Sequence, residues 1–321
     1  MYIKEISKPK LLIELEVIHS RLPGTHNHYA MIERDYINRL SGFKGEQSLD
    51  YYFSFLPEKD FLIFHSIRLK GATHYFQMDF LLLTQKYFLI VEVKNLSGNI
   101  TFNEFNQMIQ ERDGELKKYD DPVLQVKHQA FQFKQWLDAR KLPQIPVETI
   151  VVFTHPNVFL NVEQPSSPYI KNIVVSTKLL EHVKALNRKY SQKLIDSRQI
   201  KRISNLILKN HTELEQNLYE KYHINKLDLQ TGVHCPECNR LPMIWMKGKW
   251  FCRHCNNISI DAHLKGISDY CFIHGGVATN KQLREFLHLP SENIMYKLLM
   301  KMNLPKTGNT KDRLYFLSEV R

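Results

Sequence analysis

The stretch Gln77 to Lys94, QMDFLLLTQKYFLIVEVK, restricts the fold of this chain more than any other. Two apolar runs, Phe80 to Leu83 and Tyr87 to Val91, flank the polar turn Thr84-Gln85-Lys86, the pattern of a tight β-hairpin with buried strands. Set into those strands are Asp79, Glu92 and Lys94, where apolar side chains are expected. Burying a charge is costly unless something pairs with it. The two-residue period puts Glu92 and Lys94 on one face of their strand and Val91 and Val93 on the other. Pairing through the turn brings Asp79 near Glu92. Two adjacent carboxylates repel unless a cation lies between them, and oxygen ligands suit Mg²⁺ or Mn²⁺. The same residues also admit an internal ion pair of Asp79 or Glu92 with Lys94.

A chain of 321 residues that is 43% hydrophobic can bury a substantial core and has room for two or three domains. No apolar run approaches the length of a membrane span. The N-terminus, MYIKEISKPKLLIELEV, scatters charges through its apolar residues where a signal peptide would have an apolar core, so a cytoplasmic location is expected. Four of the five cysteines form two CxxC pairs, which in a reducing compartment reads as metal binding. The fifth, Cys271, reads as a small core residue. Lysine and arginine outnumber the acids 44 to 33, a net charge of +11 with a pI near 9.2, which favours polyanionic partners. Residues 226–321 carry +6 of that excess.

Residues 5–40 read as one or two helices broken at Leu22-Pro23-Gly24. Gly42 to Glu46 is expected to open a further helix, with Leu49, Tyr52, Phe53 and Leu56 at helical spacing. That places Glu46 in a first turn, where the helix dipole alone favours an acid. Asp60 to Leu69 reads as a strand ahead of the hairpin, and residues 100–120 are polar and irregular with room for short strands. From Pro122 to about Arg140 runs a helix that buries Val123, Val126, Ala130, Phe133 and Leu137, with Gln125 and Gln129 one turn apart on an adjoining face. Val147 to Phe153 and Ile173 to Val175 are further strands. Helix, three strands, helix and strand mark an α/β domain.

Glu46 on its helix, Asp79 on one strand, Glu92-Val93-Lys94 on the next and Gln125 and Gln129 on the following helix resemble the nuclease-related domain, NERD, of the PD-(D/E)XK nuclease superfamily. The resemblance covers roughly residues 41–155. It implies an αβββαβ core that cleaves nucleic-acid phosphodiesters with a divalent metal. The proline of the superfamily's name is absent, since Met78 precedes Asp79. By this likeness Asp79, Glu92 and the Val93 carbonyl would hold Mg²⁺, and Lys94 would stabilise charge developing on phosphorus or orient the attacking water. Glu46 would reach the metal directly or through water. Gln125 would position water or phosphate, with Gln129 behind it.

Thr177 to Lys221 reads as helical, and its basic residues between Arg188 and Arg202 as a solvated face or, as the alternative, a phosphate-tracking surface that lacks an aromatic ladder. Cys235-Pro-Glu-Cys238 and Cys252-Arg-His-Cys255 stand 13 residues apart and form two knuckles for a tetrahedral structural Zn²⁺, joined by a hairpin turning at Lys247-Gly248-Lys249. They resemble a zinc ribbon. His234 and His254 adjoin the knuckles and are alternative ligands. Residues 261–321 read as three helices and a hairpin through Gly308-Asn309, similar in pattern to a winged helix-turn-helix. Five segments are expected: residues 1–40, 41–155, 156–228, 229–260 and 261–321. The function expected is that of a cytoplasmic, bacterial, Mg²⁺-dependent nuclease acting on DNA. The alternatives are an inactive nucleic-acid-binding protein on the same fold, or a protein-interaction scaffold.

Overall fold

The computed structural model describes residues 1–103, 105, 107–162, 171–309 and 312–317. Thr310 and Lys311, in the expected C-terminal hairpin, lie outside the described residues. The chain divides into two compact units, one of residues 1–10 and 37–215, the other of residues 11–36 and 216–321.

The first elements are β1 (Tyr2–Lys4), α1 (Lys10–Arg21), α2 (Tyr29–Ser48) and α3 (Asp50–Phe53). Of these, α1 and the start of α2 belong to the second unit. Then come β2 (Leu62–Lys70), β3 (Tyr75–Leu83) and β4 (Phe88–Lys94), followed by β5 (Gly98–Phe102), β6 (Met108–Arg112) and β7 (Glu115–Tyr119). Helix α4 (Pro122–Asp138) starts at an Asp121 cap that accepts the N–H groups of Val123 and Leu124. It leads to β8 (Val147–Phe153), β9 (Val158–Val162), β10 (Ile173–Val175), α5 (Leu179–Lys189) and α6 (Ser197–Asn210).

The central sheet of the first unit has the order β1-β2-β3-β4-β8-β10. The β2-β3-β4 meander is antiparallel, while β8 runs parallel to β4 and β10 parallel to β8. Such a sheet needs both faces covered. One face is covered by α4 and α6, through Val126, Phe133, Ile203 and Ile207 packed with Leu81, Phe88 and Ile90. The other meets α3 and α5, through Phe53, Leu179 and Val183 packed with Phe80, Leu89 and Val91. The stretch that reads as irregular between β4 and α4 supplies β5, β6 and β7 to a second sheet, β7-β6-β5-β9, whose fourth strand follows β8. Only Ile100, Phe102, Met108 and Gln110 of β5–β7 are buried, so the strands carry little apolar pattern for the sequence to show.

One irregularity shapes the site. Leu81 and Leu83 pack on the α4 face while Phe80 and Leu82 pack on the α3 face, yet beyond Asp79 it is Met78 and Phe76 that join the α4 side. On β2, Phe64 packs with the α4 side, and so do Ile67 and Leu69. Both strands therefore switch faces at the same place. Ser66, opposite Asp79 between the pairs His65↔Phe80 and Ile67↔Met78, has a left-handed φ of 49°.

In the second unit, α7 (Leu218–Tyr222) precedes a three-stranded antiparallel sheet of β11 (Ile244–Met246), β12 (Lys249–Phe251) and β13 (Ile258–Ser259). Helix α8 (His263–His274), β14 (Val277–Thr279), α9 (Asn280–Leu287), α10 (Glu292–Met302), β15 (Lys306–Thr307) and β16 (Leu314–Phe316) follow, and β16 pairs with both β14 and β15. One core joins Leu15 and Ile18 of α1, Trp250 of β12, Ile267 of α8 and Leu299 of α10.

Candidate active site and metal centre

Strands β3 and β4 pair up to Phe80↔Val91 and then part, so that the Asp79 carboxylate, and no backbone carbonyl of its strand, takes the Val93 N–H at 2.9 Å. Asp79 thus lies beside Glu92, as the hairpin register predicts. Burial and the neighbouring carboxylates of Glu92 and Glu46 push its pKa well above the usual 3.8, and the Val93 N–H and the Lys94 ammonium offset only part of that. Glu92 is buried. Its Oε1 receives the Lys94 ammonium at 2.7 Å and its Oε2 the Gln129 amide at 2.9 Å. Lys94 also donates to Gln125 Oε1 at 3.0 Å. The ion pair expected as one possibility is therefore made by Glu92 with Lys94, while burial and the neighbouring carboxylates drive the Asp79 carboxyl beside it toward its protonated form.

Glu46 departs from the sequence expectation. Gly42 to Glu46 does not open a helix: it lies in the closing turns of α2, so Glu46 sits at the helix's C-terminal end, where the dipole disfavours an acid. The apolar spacing from Leu49 onward had suggested a helix start, but the chain turns into the separate short helix α3. The carboxylate is held instead by His65 of β2, with Oε2 2.6 Å from Nε2. Gly45 explains how this turn reaches the sheet. A Cβ at this position would lie 2.6 Å from Asn95 Cβ and 2.7 Å from Thr154 Oγ1, so a side chain there would push α2 off the ends of β4 and β8.

The arrangement brings Glu46, Asp79, Glu92, Lys94 and Gln125 to one end of the β3-β4-β8 sheet. Carboxylate oxygens are the hard donors that Mg²⁺ or Mn²⁺ takes, and the repulsion that raises the Asp79 pKa is of the kind a divalent cation relieves. Sequence reasoning missed His65 and gave Gln129 a lesser part than direct contact with Glu92. A histidine in the apolar run Phe61 to Ile67 was the available signal for the first.

The second centre is more closed. Cys235, Cys238, Cys252 and Cys255 place their sulfurs within 4.8 Å of one another, the convergent ligand group of three or more among the described residues. Cys235 and Cys255 lie 3.5 Å apart and Cys238 and Cys252 3.6 Å apart. A tetrahedral Zn²⁺ with bonds of about 2.3 Å separates its sulfurs by about 3.8 Å, so the four thiols fit zinc. Each knuckle closes on an asparagine of positive φ, Asn239 at 56° and Asn256 at 58°. Burial opposes ionisation of Cys235, but the N–H groups of Cys238 and Glu237 together with the neighbouring Cys255 and Cys238 thiols outweigh it and bring the thiol down to about 6. Neither histidine is in the cluster: His234 Nε2 lies 3.0 Å from the Ser20 carbonyl, and His254 Nδ1 accepts from Arg240 at 3.1 Å.

No helix among the described residues is long and apolar enough to cross a membrane. No curated protein and no solved structure matches the chain. Residues 41–154, from the last turns of α2 through β8, match the family model of the nuclease-related domain, NERD.

Proposed function

We propose that the chain is a divalent-metal-dependent nuclease that hydrolyses phosphodiester bonds of nucleic acid, DNA foremost. The observation that carries this reading is the Asp79 carboxyl, which takes the Val93 N–H at 2.9 Å where β3 and β4 part and feels the Glu92 and Glu46 carboxylates. Paired carboxylates without full compensation serve no packing purpose. Asp79, Glu92 and the Val93 carbonyl would hold Mg²⁺ or Mn²⁺, with Glu46 reaching it directly or through water. The ion, when bound, polarises the scissile phosphate and lowers the pKa of an attacking water. Lys94, oriented by Gln125 and Glu92, is placed to meet charge developing on the phosphate. Gln129 fixes the second oxygen of Glu92, so that its carboxylate keeps one orientation.

The zinc centre is structural in this reading. The order helix, strand, two helices and hairpin from α8 to β16 supports a winged-helix-like module, whose α10 exposes Tyr296, Lys297 and Lys301 to a nucleic-acid partner. Reduced thiols at the zinc site suit a cytoplasmic protein. A second reading, an inactive nucleic-acid-binding protein, draws on the Lys94 ammonium, which already neutralises Glu92 at 2.7 Å. Cleavage of single-stranded, duplex and branched DNA and of RNA with Mg²⁺ or Mn²⁺, with Glu92→Ala as control, separates the two. Metal-dependent products from the wild type and none from the variant are expected. Binding without cleavage under every metal would leave the second reading standing.

A further inference from the structure

We propose that His65 is the positioning residue that holds Glu46 toward the divalent cation, an inference that rests on the metal reading of the site. His65 has no exposed surface, and its ring lies between Phe43 of α2 and Phe80 of β3, with centroids 6.3 and 5.2 Å away. Its Nε2 is 2.6 Å from Glu46 Oε2, and its buried Nδ1 has no hydrogen-bond partner among the described residues. A carboxylate needs a proton on Nε2, and a buried lone pair on Nδ1 costs less than a buried unpaired N–H. The neutral tautomer protonated on Nε2 is therefore the one that fits. The backbone that carries the ring is held as well, since the Lys4 ammonium donates to the carbonyls of His65 and Ser66 at 2.9 and 3.3 Å where β2 switches faces.

Stability of the helix does not call for this pair. At the C-terminal end of α2 an acid is unfavourable, and Glu46 is in partial contact with water, where it could stay solvated without a buried histidine. The pair instead occupies one oxygen of Glu46 and fixes the plane of its carboxylate, which leaves the other oxygen for the cation or its water. An imidazole that orients a metal-binding carboxylate typically changes metal affinity by about 10-fold to 100-fold.

The test is Mn²⁺ calorimetry on the full chain, with zinc retained, for the wild type, His65→Leu, His65→Gln, His65→Asn and Glu46→Gln, and for His65→Leu combined with Glu46→Gln. A glutamine amide reaches the position of Nε2, whereas an asparagine amide stops near that of Nδ1. The expected result is Mn²⁺ affinity about tenfold weaker in the leucine and asparagine variants and near the wild type in the glutamine variant. In the Glu46→Gln background, His65→Leu should add nothing. Unchanged affinity in both the leucine and asparagine variants, or an equal loss with Glu46 already replaced, overturns the role of His65. Should the leucine variant fail to fold, the glutamine and asparagine pair still decides. A wild type that binds no Mn²⁺ overturns the metal reading together with this inference, whereas wild-type binding with indifferent His65 variants overturns the inference alone.

Discussion

Burial and the carboxylates of Glu92 and Glu46 raise the pKa of Asp79 in the folded protein well above 3.8. The native state then binds the proton more tightly than the unfolded chain. Stability of the metal-free protein should fall as pH rises from the ordinary aspartate value through the raised one, and level off beyond it. Denaturant unfolding from pH 4 upward without Mg²⁺ checks the slope, which Asp79→Asn should flatten. The same substitution should make the metal-free protein as stable as the wild type or more so, while abolishing the rise in melting temperature with Mg²⁺. In the wild type that rise corresponds to about 2.7 kcal/mol at a hundredfold excess over Kd. Lys94→Ala should differ. It takes the ammonium away from the buried Glu92 oxygen at 2.7 Å and should cost roughly 1–3 kcal/mol without metal. Mg²⁺ would still shift its melting curve, and cleavage would be lost. A purely structural ion pair predicts instead that Mg²⁺ moves none of these curves.

At the scale of elements, the hairpin, its acidic positions and α4 were legible because burial imposes a two-residue or 3.6-residue period that the sequence must obey. The face switch at Ser66 and Asp79 was not, since periodicity assumes regular strands and a left-handed serine leaves no compositional trace. Nor was the junction of α2 with α3: Gly42 and Gly45 look like a break, yet Gly45 is there for close approach to Asn95 and Thr154. Gly45→Ala should therefore force a shift in packing, costing about 1–3 kcal/mol in denaturant unfolding. It should also weaken Mn²⁺ binding, because Glu46 moves with the turn. An alanine variant as stable as the wild type would contradict the tight contact. The four thiols were legible from spacing alone, but the core they join was not. Cys235 and Cys252 are buried with Met243 and Trp250 in the core shared by α1, α8 and α10. Removal of zinc, or Cys238→Ser, should therefore loosen that whole unit, seen as a change in the environment of Trp245 and Trp250, while the far-ultraviolet signal of the β2-β3-β4-β8 sheet persists.

Across the whole molecule, the least legible feature is which segments share a core. Helical spacing marks Leu11, Leu15 and Ile18 as one apolar face, but no local pattern can name a partner some 200 residues away, and the first residues of the chain read as a segment by themselves. In the structure that face belongs with Leu218, Tyr222 and Ile267, so the second unit is assembled from residues 11–36 and 216–321. A chain ended at Glu215 should consequently expose the apolar face of α1, bind a hydrophobic dye and lose solubility, even though residues 37–215 include the whole segment that matches the nuclease-related family model. Leu15→Ala tests the same assignment within the full chain. Leu15 is fully buried, so truncation to alanine should cost about 2–5 kcal/mol. That cost should fall on the C-terminal half. Hydrogen exchange should speed up in α8, α9 and α10 and stay unchanged in β3, β4 and α4. Faster exchange in β3, β4 and α4 with α8, α9 and α10 unaffected would place α1 in the wrong core.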